Sequence, residues 1–227
     1  MPSPFAHRDD PSLADPLPER PEPLLGAWLD DAIQKRPVPN PLAMGLATLD
    51  VDGNPTSRMV ICRGYDLEAG WLVFYTDRRS AKGEELARHP RAAALLHWDA
   101  LQRQVRIEGP VTEAPDEQSD GYFRSRPLDH QLAASVSEQS RPVASRAELV
   151  ARMDQALVER GIDLADPDAG PLPRPPFWGG YRLWIERLEL WLGQPGRVHD
   201  RALWTRKLTP RDGGFAAEAW RVERLQP

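Results

Sequence analysis

The sequence predicts a mainly β protein with α-helical additions, built on an antiparallel barrel. About eight segments have the apolar alternation or β-branched composition of strands. They do not alternate with helices in the βαβ order that builds a parallel nucleotide-binding sheet. The chain has 227 residues, of which 41% are hydrophobic, and this is enough for one domain with a sizeable core.

The N-terminal part divides into an arm and a helix. Residues 1–22 are rich in Pro and charge and lack a periodic apolar pattern, which predicts a mobile arm ahead of a single domain over 23–227. Apolar residues then recur at helical spacing from Leu24 to Ile33, and Pro37 ends this first helix.

Strand patterns follow along most of the remaining chain. The predicted strands are AMGLATLD, TSRMVICRGY, WLVFYT, RAAALLHW, LQRQVRIEGPVTEA, YRLWIERLELW, RVHDRALWTRK and AWRVERLQP. VDGNP predicts a tight turn between the first two, and a Gly-containing hairpin loop is expected at Arg211–Gly214. WLVFYT has large side chains on both faces, as in a barrel interior. In YRLWIERLELW the apolar phase changes, which predicts a bulge or break near Glu186 and Arg187.

Helices are expected between some of these strands. Ser80 is a plausible N-cap for a helix that includes Gly83–Ala87. DEQSDGYFRSRP and HQLAASVSEQS predict two further helices, the second ending at Gln139 and Ser140. The best-defined helix is SRAELVARMDQALVERG, since it opens with a Ser-x-x-Glu capping box and closes on Gly161.

Several classes of function are excluded by what the sequence lacks. A net charge of −5 argues against bulk attraction to nucleic acid, and no apolar run is long enough to cross a membrane. The N-terminus does not resemble a secretory signal, and the single Cys62 cannot form an internal disulfide. We therefore expect the protein to be located in the reducing environment of the cytoplasm. Gly-rich phosphate loops, zinc-ligand spacings, a GxSxG elbow and RNP-like patterns are all missing.

Basic and amide side chains beside the predicted strands and turns are the chemically informative residues. They are Arg58, Arg63, Lys82, Gln104, Gln139, Ser140, Arg197, His199 and Arg201. The last three alternate along one predicted strand, so they share a face and repel one another unless an anion lies between them. A phosphate or an electron-rich ring would meet that need. The alternative is a solvated strand face at a barrel edge.

Eight segments, in order and at matching spacing, resemble the pyridoxamine 5′-phosphate oxidase family. They are SRMVICRGYD, VFYT…SAKG, LQRQV, YFRSRP, SxQS, RPPFWGGYR, LELWxGxxxRVHDR and the closing RLQP, covering about Pro41 to Pro227. The RxHxR element is the most specific of them. The resemblance implies an FMN-binding split β-barrel that works as a homodimer, with FMN in a cleft at the dimer interface.

The resemblance also assigns the cofactor residues. Arg58 and Lys82 would hold the FMN phosphate, with Tyr75 and Thr76 lining the same site. Gln104 would hydrogen-bond the flavin ring, and Gln139 and Ser140 would come from the partner subunit. The remaining FMN-binding positions implied by the motifs are Met59, Val60, Ile61, Cys62, Arg63, Trp191 and Arg201. Composition alone favours Trp191 as a core aromatic. The alternative for Arg58 and Lys82 is an exposed surface pair, which the motif context disfavours.

On the substrate side, the resemblance implies oxidation of pyridoxamine or pyridoxine 5′-phosphate, as in vitamin B6 salvage or synthesis. The residues implied in phosphate binding are Arg63, Tyr122, Arg126 and His130. Arg197 and His199 would lie against the pyridine ring as the catalytic pair. By this resemblance, a hydride would leave the C4′ carbon of the substrate for the flavin, and the product would be an aldehyde, pyridoxal 5′-phosphate. An amine passes through an imine that water hydrolyses, and O2 reoxidises the flavin to give H2O2.

The sequence departs from the family pattern at several positions, mostly on the substrate side. Arg63 replaces a usual Lys and His130 a usual Ser, and Ala133–Ser135 replaces Gly-Ala-Trp. Ala81 replaces an Arg that would bind the cofactor phosphate, for which Arg78 or Arg79 could compensate. These changes raise the possibility of another substrate.

Three other functions therefore remain open. The first is a related FMN oxidase of the phenazine-biosynthesis type, although such relatives tend to lose the Tyr and Arg that Tyr122 and Arg126 supply. The second is a flavin-binding protein without catalysis, which would not require Arg197 and His199. The third is a flavin reductase, for which the sequence shows no dinucleotide-recognition motif.

Overall fold

A computed structural model of the chain describes residues 12–166 and 169–227. The chain divides into two compact units, and it passes between them four times. Unit 1 contains Met1–Phe74, Pro90–Thr112 and Arg182–Pro227, and unit 2 contains Tyr75–His89 and Glu113–Tyr181. The single domain over 23–227 stays a prediction.

The fold is mainly β with helical additions, as the sequence predicts. The strands are β1 (Ala43–Leu49), β2 (Pro55–Ile61), β3 (Gly64–Asp66), β4 (Trp71–Asp77), β5 (Arg91–Trp98), β6 (Arg103–Glu113), β7 (Trp178–Trp184), β8 (Arg187–Leu192), β9 (Asp200–Thr205), β10 (Leu208–Arg211), β11 (Gly214–Ala217) and β12 (Arg221–Leu225). The helices are α1 (Glu22–Lys35), α2 (Ala81–Arg88), α3 (Asp116–Ser125), α4 (Leu128–Val136) and α5 (Arg146–Arg160).

In unit 1, seven strands form one continuous hydrogen-bonded path. Their order is β12-β9-β8-β6-β5-β1-β2, and the paired strands run antiparallel. One face of this sheet is apolar, with Leu46, Leu96 and Ile107 among its fully buried side chains. Alternate residues point the other way, because strand side chains have a period of two. That second face carries polar side chains, Gln104 among them.

Predicted turns and breaks in unit 1 agree with the structure. Asp50 folds the β1–β2 turn, since its Oδ1 accepts hydrogen bonds from the amides of Asp52 (2.9 Å) and Asn54 (2.8 Å). The chain breaks between β7 and β8 at Ile185 and Glu186, where the apolar phase changes. The single strand predicted over TSRMVICRGY is wrong in one respect, because it divides into β2 and β3.

The start of the described chain differs from the predicted mobile arm. Leu13 is 5% exposed and its amide donates to Asp200 Oδ2 at 2.7 Å. The indole of Trp204 donates to the Pro18 carbonyl at 2.9 Å. Both partners lie in β9, so residues 12–18 are anchored to the sheet of unit 1. The remainder of the predicted arm, residues 1–11, lies outside the described residues.

In unit 2 the helices follow the predicted capping signals. The Ser145 hydroxyl accepts from the Glu148 amide at 3.0 Å, and Gly161 closes α5 in the left-handed conformation. One prediction is wrong: α4 ends at Val136, so Gln139 and Ser140 lie in the turn beyond it rather than in a helix. Ser140 has a φ of 71°. Among the described residues there is no cluster of potential metal ligands and no helix with the length and apolarity of a membrane span.

Candidate functional site

In unit 2, a buried lysine lies among neutral oxygen atoms. Lys82 is 8% exposed, and its Nζ donates to Gln139 Oε1 at 2.6 Å, Thr76 Oγ1 at 3.1 Å and Ser80 Oγ at 3.3 Å. The Thr76 hydroxyl donates to the same Gln139 oxygen at 2.8 Å. These contacts join an ammonium group and hydroxyl donors at one point, a combination suited to phosphate oxygens.

The turn from β4 into α2 creates this arrangement. The carboxylate of Asp77 accepts from the backbone amide of Arg79 at 2.7 Å and from its Nη2 at 2.8 Å. Ser80 is the N-cap residue of α2, as predicted, but its hydroxyl donates to the Asp77 carbonyl at 2.6 Å and makes no capping hydrogen bond to the helix. Lys82 then lies in the first turn of α2, where the helix dipole favours an anion. A Cβ at Gly83 would lie 2.1 Å from the Arg78 carbonyl oxygen, so the turn packs closely at that point.

Gln139 lies beside the buried lysine. Within its own chain it contacts Lys82 and Thr76, and its contribution to the cofactor site of a partner subunit stays a prediction. The contact joins residues 57 positions apart, across the end of β4 and the turn after α4. The Gln139 oxygen occupies a coordination position on Lys82 that a phosphate oxygen could take.

Arg78 and Arg79 were suggested to compensate for the Arg that Ala81 replaces. Each of them pairs with a carboxylate instead of joining the contacts around Lys82. Arg78 forms an ion pair with Glu113 at 3.0 Å. Arg79 pairs with Asp77, and its guanidinium carbon lies 3.2 Å from the ring centroid of Phe177. Both guanidinium groups are therefore engaged by carboxylates of unit 2. Nearby, a cavity of about 430 Å³ is lined by Asp77, Arg78, Arg79, Glu84, Glu138, Gln139 and Arg141.

Unit 2 also brings together two of the residues predicted to bind a substrate phosphate, Tyr122 and Arg126. The Tyr122 ring stacks on Tyr75, with centroids 4.1 Å apart, and both rings lie nearly parallel to Trp178. The Arg126 guanidinium lies over Trp178 at 4.9 Å. Its backbone carbonyl accepts from Gln131 Nε2 at 2.8 Å, which fixes the end of α3.

His130, the fourth residue expected at the substrate phosphate, lies on the exposed side of α4. Its side chain is 61% exposed, and Nε2 lies 4.0 Å from Asp129 Oδ2. The structure therefore does not group His130 with the stacked rings of Tyr122 and Trp178 in the way that it groups Arg126.

In unit 1, the predicted ring-binding residues form a row across three neighbouring strands. Gln104 of β6 lies opposite Trp191 of β8, and Trp191 lies opposite Arg201 of β9. Directly opposed residues point to the same face of an antiparallel sheet. An amide, an indole and a guanidinium are thus presented side by side, a combination suited to the edge and face of a flavin ring.

The prediction that Arg197, His199 and Arg201 alternate along one strand is wrong. Arg197 ends a short 3-10 turn at Pro195–Arg197 with a φ of 63°, and β9 begins only at Asp200. The Pro-Gly pair at the start of the turn accounts for this, since it breaks strand pairing. Positive φ is costly for a residue with a side chain, and such strain tends to occur at functional positions.

His199 nevertheless lies beside the row. Its ring centroid is 4.7 Å from that of Trp191, and its Nδ1 accepts a hydrogen bond from the Gln194 amide at 3.2 Å. A ring nitrogen that accepts carries no proton, so neutral His199 has its hydrogen on Nε2. The Nε2–H is then available as a donor.

Arg58 and its neighbours lie on β2 of unit 1. The Arg58 guanidinium donates to the hydroxyls of Thr48 and Thr56, the latter at 2.7 Å. Met59 points to the opposite face and is 66% exposed. Because successive side chains alternate between faces, the run Arg58 to Ile61 cannot present all its side chains to one cofactor.

A second cavity in unit 1 lies next to Arg63. It has a volume of about 360 Å³ and is lined by Ile33, Arg36, Pro39, Asn40, Pro41, Leu42, Ile61, Cys62 and Arg63. Burial raises the pKa of the Cys62 thiol, and a hydrogen bond to the Gly64 carbonyl does not offset this, so Cys62 is a weak nucleophile. Arg36 and Asn40 line the same cavity as Arg63, because the α1–β1 connection brings them there. No pattern in the sequence indicated them.

Two other residues were missed because only the fold reveals them. Trp178 underlies Tyr122 and Arg126, and its position in the conspicuous FWGG segment was the only signal. Glu189 is 2% exposed and binds Arg201, but a Glu within a strand pattern carries no such indication.

The described residues fit FMN. Within unit 2, the buried ammonium of Lys82 with its hydroxyl neighbours suits a phosphate group. Taken by itself, unit 1 presents an amide, an indole and a guanidinium in a row that suits a flavin ring.

Family models match most of the chain. Residues 29–158 match the family described as "Pyridoxamine 5'-phosphate oxidase". Residues 178–227 match the "Pyridoxine 5'-phosphate oxidase C-terminal dimerisation region", which supports a homodimer.

Similar proteins agree with these matches. A pyridoxine/pyridoxamine 5′-phosphate oxidase of Burkholderia orbicola is 46% identical over 200 residues, covering 88% of this chain and 86% of the relative. One of Methylibium petroleiphilum is 45% identical over 216 residues, covering 95% and 90%.

Solved structures also resemble this chain. PhzG of Burkholderia lata 383, solved with tetrahydrophenazine-1-carboxylic acid, has a TM-score of 0.78 and 31% identity, covering 94% of this chain and 95% of that one. An FMN-binding protein of Nostoc punctiforme shares the fold with a TM-score of 0.66 and 20% identity. The architecture is thus the antiparallel split β-barrel, FMN is the cofactor and the protein is an FMN-dependent oxidase. The chain belongs to the pyridoxamine 5′-phosphate oxidase family.

Proposed function

We propose that this protein oxidises pyridoxamine and pyridoxine 5′-phosphate to pyridoxal 5′-phosphate in the cytoplasm, as a step of vitamin B6 salvage or synthesis. The amine, O2 and water would give the aldehyde, ammonia and H2O2, and the alcohol and O2 would give the aldehyde and H2O2. FMN would supply the two-electron acceptor that O2 regenerates.

The observation that carries this proposal is the pairing of Tyr122 with Arg126 beside Trp178. Trp178 supports the guanidinium at 4.9 Å, and the Tyr122 ring stacks on Tyr75 at 4.1 Å. A hydroxyl and a planar guanidinium held by aromatic neighbours are pre-organised donors for a phosphate group. Such pre-organisation lowers the entropic cost of binding.

Arg197 and His199 would act on the ring of the substrate. The guanidinium of Arg197 would bind the electron-rich pyridine and hold it in position. The Nε2–H of His199 would donate to an oxygen or nitrogen of the substrate, since Nδ1 is occupied by the Gln194 amide. Both side chains would orient the reacting carbon for hydride loss.

The similarity to PhzG favours a second candidate, oxidation of a reduced tricyclic compound. That structure contains tetrahydrophenazine-1-carboxylic acid and covers 94% of this chain. The departures at Arg63, His130 and Ser135 fall on the substrate side. Tyr122 and Arg126 favour the phosphorylated pyridine over this candidate, because a tricyclic carboxylate offers no phosphate.

Oxygen consumption by the FMN-loaded protein distinguishes the two candidates. We expect turnover with pyridoxamine and pyridoxine 5′-phosphate and little with unphosphorylated pyridoxamine or a reduced phenazine carboxylate. Arg126→Met should raise KM for pyridoxamine 5′-phosphate by roughly tenfold to a hundredfold, the value of a charge-assisted hydrogen bond. Arg124→Met, an exposed neighbour in α3, is the matched control and should leave KM unchanged.

Two results would exclude the proposal. One is a yellow protein that turns over the reduced phenazine but not pyridoxamine 5′-phosphate. The other is a flavin that no amine or alcohol reduces, which would indicate a flavin-binding protein without catalysis.

A further inference from the structure

A buried carboxylate lies next to the Gln104–Trp191–Arg201 row of unit 1. Glu189 of β8 is two residues before Trp191 and therefore points to the same face of the sheet. It is only 2% exposed. Glutamate is rarely buried to this extent unless it is paired, because removal of the charge from water is costly.

Glu189 is bound by two guanidinium groups, one at each oxygen. Arg201 donates to Oε1 through Nε at 2.8 Å, and its Nη2 lies 2.7 Å from the same oxygen. Arg106 Nη2 faces Oε2 at 3.2 Å, as an ion pair rather than an aligned hydrogen bond. Glu189 therefore separates two cations that would repel each other across the sheet.

The same contacts set the direction of the Arg201 side chain. Arg201 lies directly opposite Trp191 in the register, but its guanidinium reaches diagonally to Glu189. Its Nη1 donates to the Gln226 carbonyl at 2.9 Å. A long, flexible side chain is thus held at both ends of its planar fork, so the position of its charge beside Trp191 is fixed.

The charge alternation continues away from the row. Arg106 Nε lies 3.0 Å from Glu108 Oε1, and Arg187 Nε lies 3.2 Å from Glu108 Oε2. Glu108 has a side-chain exposure of 33%, against 2% for Glu189. Glu108 shares the partner Arg106 with Glu189, whereas the acidic partner of Arg201 is Glu189. Glu108 is therefore a matched comparison.

We propose that Glu189 is a positioning residue that fixes the guanidinium of Arg201 beside the flavin ring and partly neutralises its charge there. The proposal rests on the assignment of Arg201 to the flavin site. Without Glu189, Arg201 would lose its fixed direction and would present an uncompensated positive charge. Such a charge stabilises the reduced, more negative flavin, so the flavin reduction potential should rise.

FMN titration and redox measurements on the full-length protein test this proposal. Glu189→Gln should weaken FMN binding by about tenfold, the value of one hydrogen bond to a charged group. It should also shift the flavin reduction potential to a more positive value than in the wild type. Glu108→Gln should change neither quantity by more than about twofold, since solvent-exposed pairs contribute little.

A double variant establishes that Glu189 acts through Arg201. Arg201→Lys keeps the charge but loses the fork, and it should weaken FMN binding on its own. If the two residues work together, adding Glu189→Gln to Arg201→Lys should cost less than the product of the two single effects. Near-UV circular dichroism verifies that each variant is folded. Should Glu189→Gln fail to fold, Glu189→Asp, which keeps the charge at a shorter reach, should show the same changes in smaller measure.

Each remaining outcome has a distinct meaning. FMN affinity and potential unchanged in a folded Glu189→Gln protein would overturn the proposal, as would equal effects from Glu108→Gln or fully multiplicative losses. A wild-type protein that binds no FMN would instead refute the proposed function. Normal FMN binding by Arg201→Lys would refute the assignment of Arg201.

Discussion

Lys82 offers the most direct test of the phosphate site. Replacement by Met keeps most of the side-chain volume and removes the ammonium group that contacts Gln139, Thr76 and Ser80. If the ammonium binds the cofactor phosphate, the variant should lose affinity for FMN but not for riboflavin, which has the same ring and no phosphate.

The magnitude follows from the buried position of Lys82. The side chain is 8% exposed, so its charge is weakly screened by solvent. A hydrogen bond to a charged group contributes about 1.5–3 kcal/mol, which corresponds to roughly tenfold to a hundredfold in Kd for FMN. The free phosphate competes for Lys82 with the Gln139 oxygen, so the lower half of this range is expected.

Quenching of flavin fluorescence measures both affinities. Lys35→Met is the matched control, since Lys35 is exposed and pairs only with Asp31 among the contacts described for it. The wild type and Lys35→Met should prefer FMN to riboflavin by the same factor, and Lys82→Met should show little preference. An equal loss for riboflavin and FMN would mean that Lys82 supports the fold rather than the phosphate, and the reasoning would be refuted.

Three further predictions concern the fold, its pH dependence and catalysis. Gly109→Ala would place a Cβ 1.9 Å from the Trp184 carbonyl oxygen, so urea denaturation should show a loss of about 3 kcal/mol or more, whereas Gly45→Ala, with 4.0 Å available, should cost far less. Burial, and then nearby acidic groups, raise the pKa of Tyr181 to about 12. The stabilisation that protonated Tyr181 gives to the folded state is fully present below the unfolded pKa near 10 and is lost as the pH rises towards 12. The free energy of unfolding should therefore fall by about 1–2 kcal/mol between pH 10 and pH 12. The fall should be smaller in Tyr181→Phe. His199→Asn should lower kcat with pyridoxamine 5′-phosphate by roughly a hundredfold and leave the FMN Kd unchanged; a weaker Kd with normal kcat would contradict the assigned role.

Local signals predicted most of the fold. The Asp50 turn, the capping box at Ser145 and the phase change before Arg187 each depend on a few neighbouring residues, and each is confirmed by the structure. The single strand predicted over TSRMVICRGY divides into β2 and β3 because the pairing partner changes, since β2 pairs with β1 and β3 pairs with β4. The predicted hairpin loop at Arg211–Gly214 is confirmed as the turn between β10 and β11, although these two short strands were not themselves predicted.

The candidate site was less predictable because its contacts are non-local. Gln139 reaches Lys82 across 57 positions, and Glu189 meets Arg106 only through the pairing of β6 with β8. Spacing along the chain cannot provide such a register. The expected strand at Arg197 was wrong for a different reason. Pro195 and Gly196 indicate a turn, but the prediction relied on the alternation of Arg197, His199 and Arg201.

The separation of Arg197 and His199 from the β ladder affects how this protein can change. The row at Gln104, Trp191 and Arg201 is fixed by hydrogen bonds between strands, so an insertion there would shift every neighbouring side chain to the other face. The turn at Pro195–Arg197 carries no such restriction, and it can lengthen, shorten or exchange residues at little cost to the sheet. Substitutions in this turn can therefore change the residues proposed to contact the substrate without disturbing the strand pairing that holds the proposed flavin-binding row.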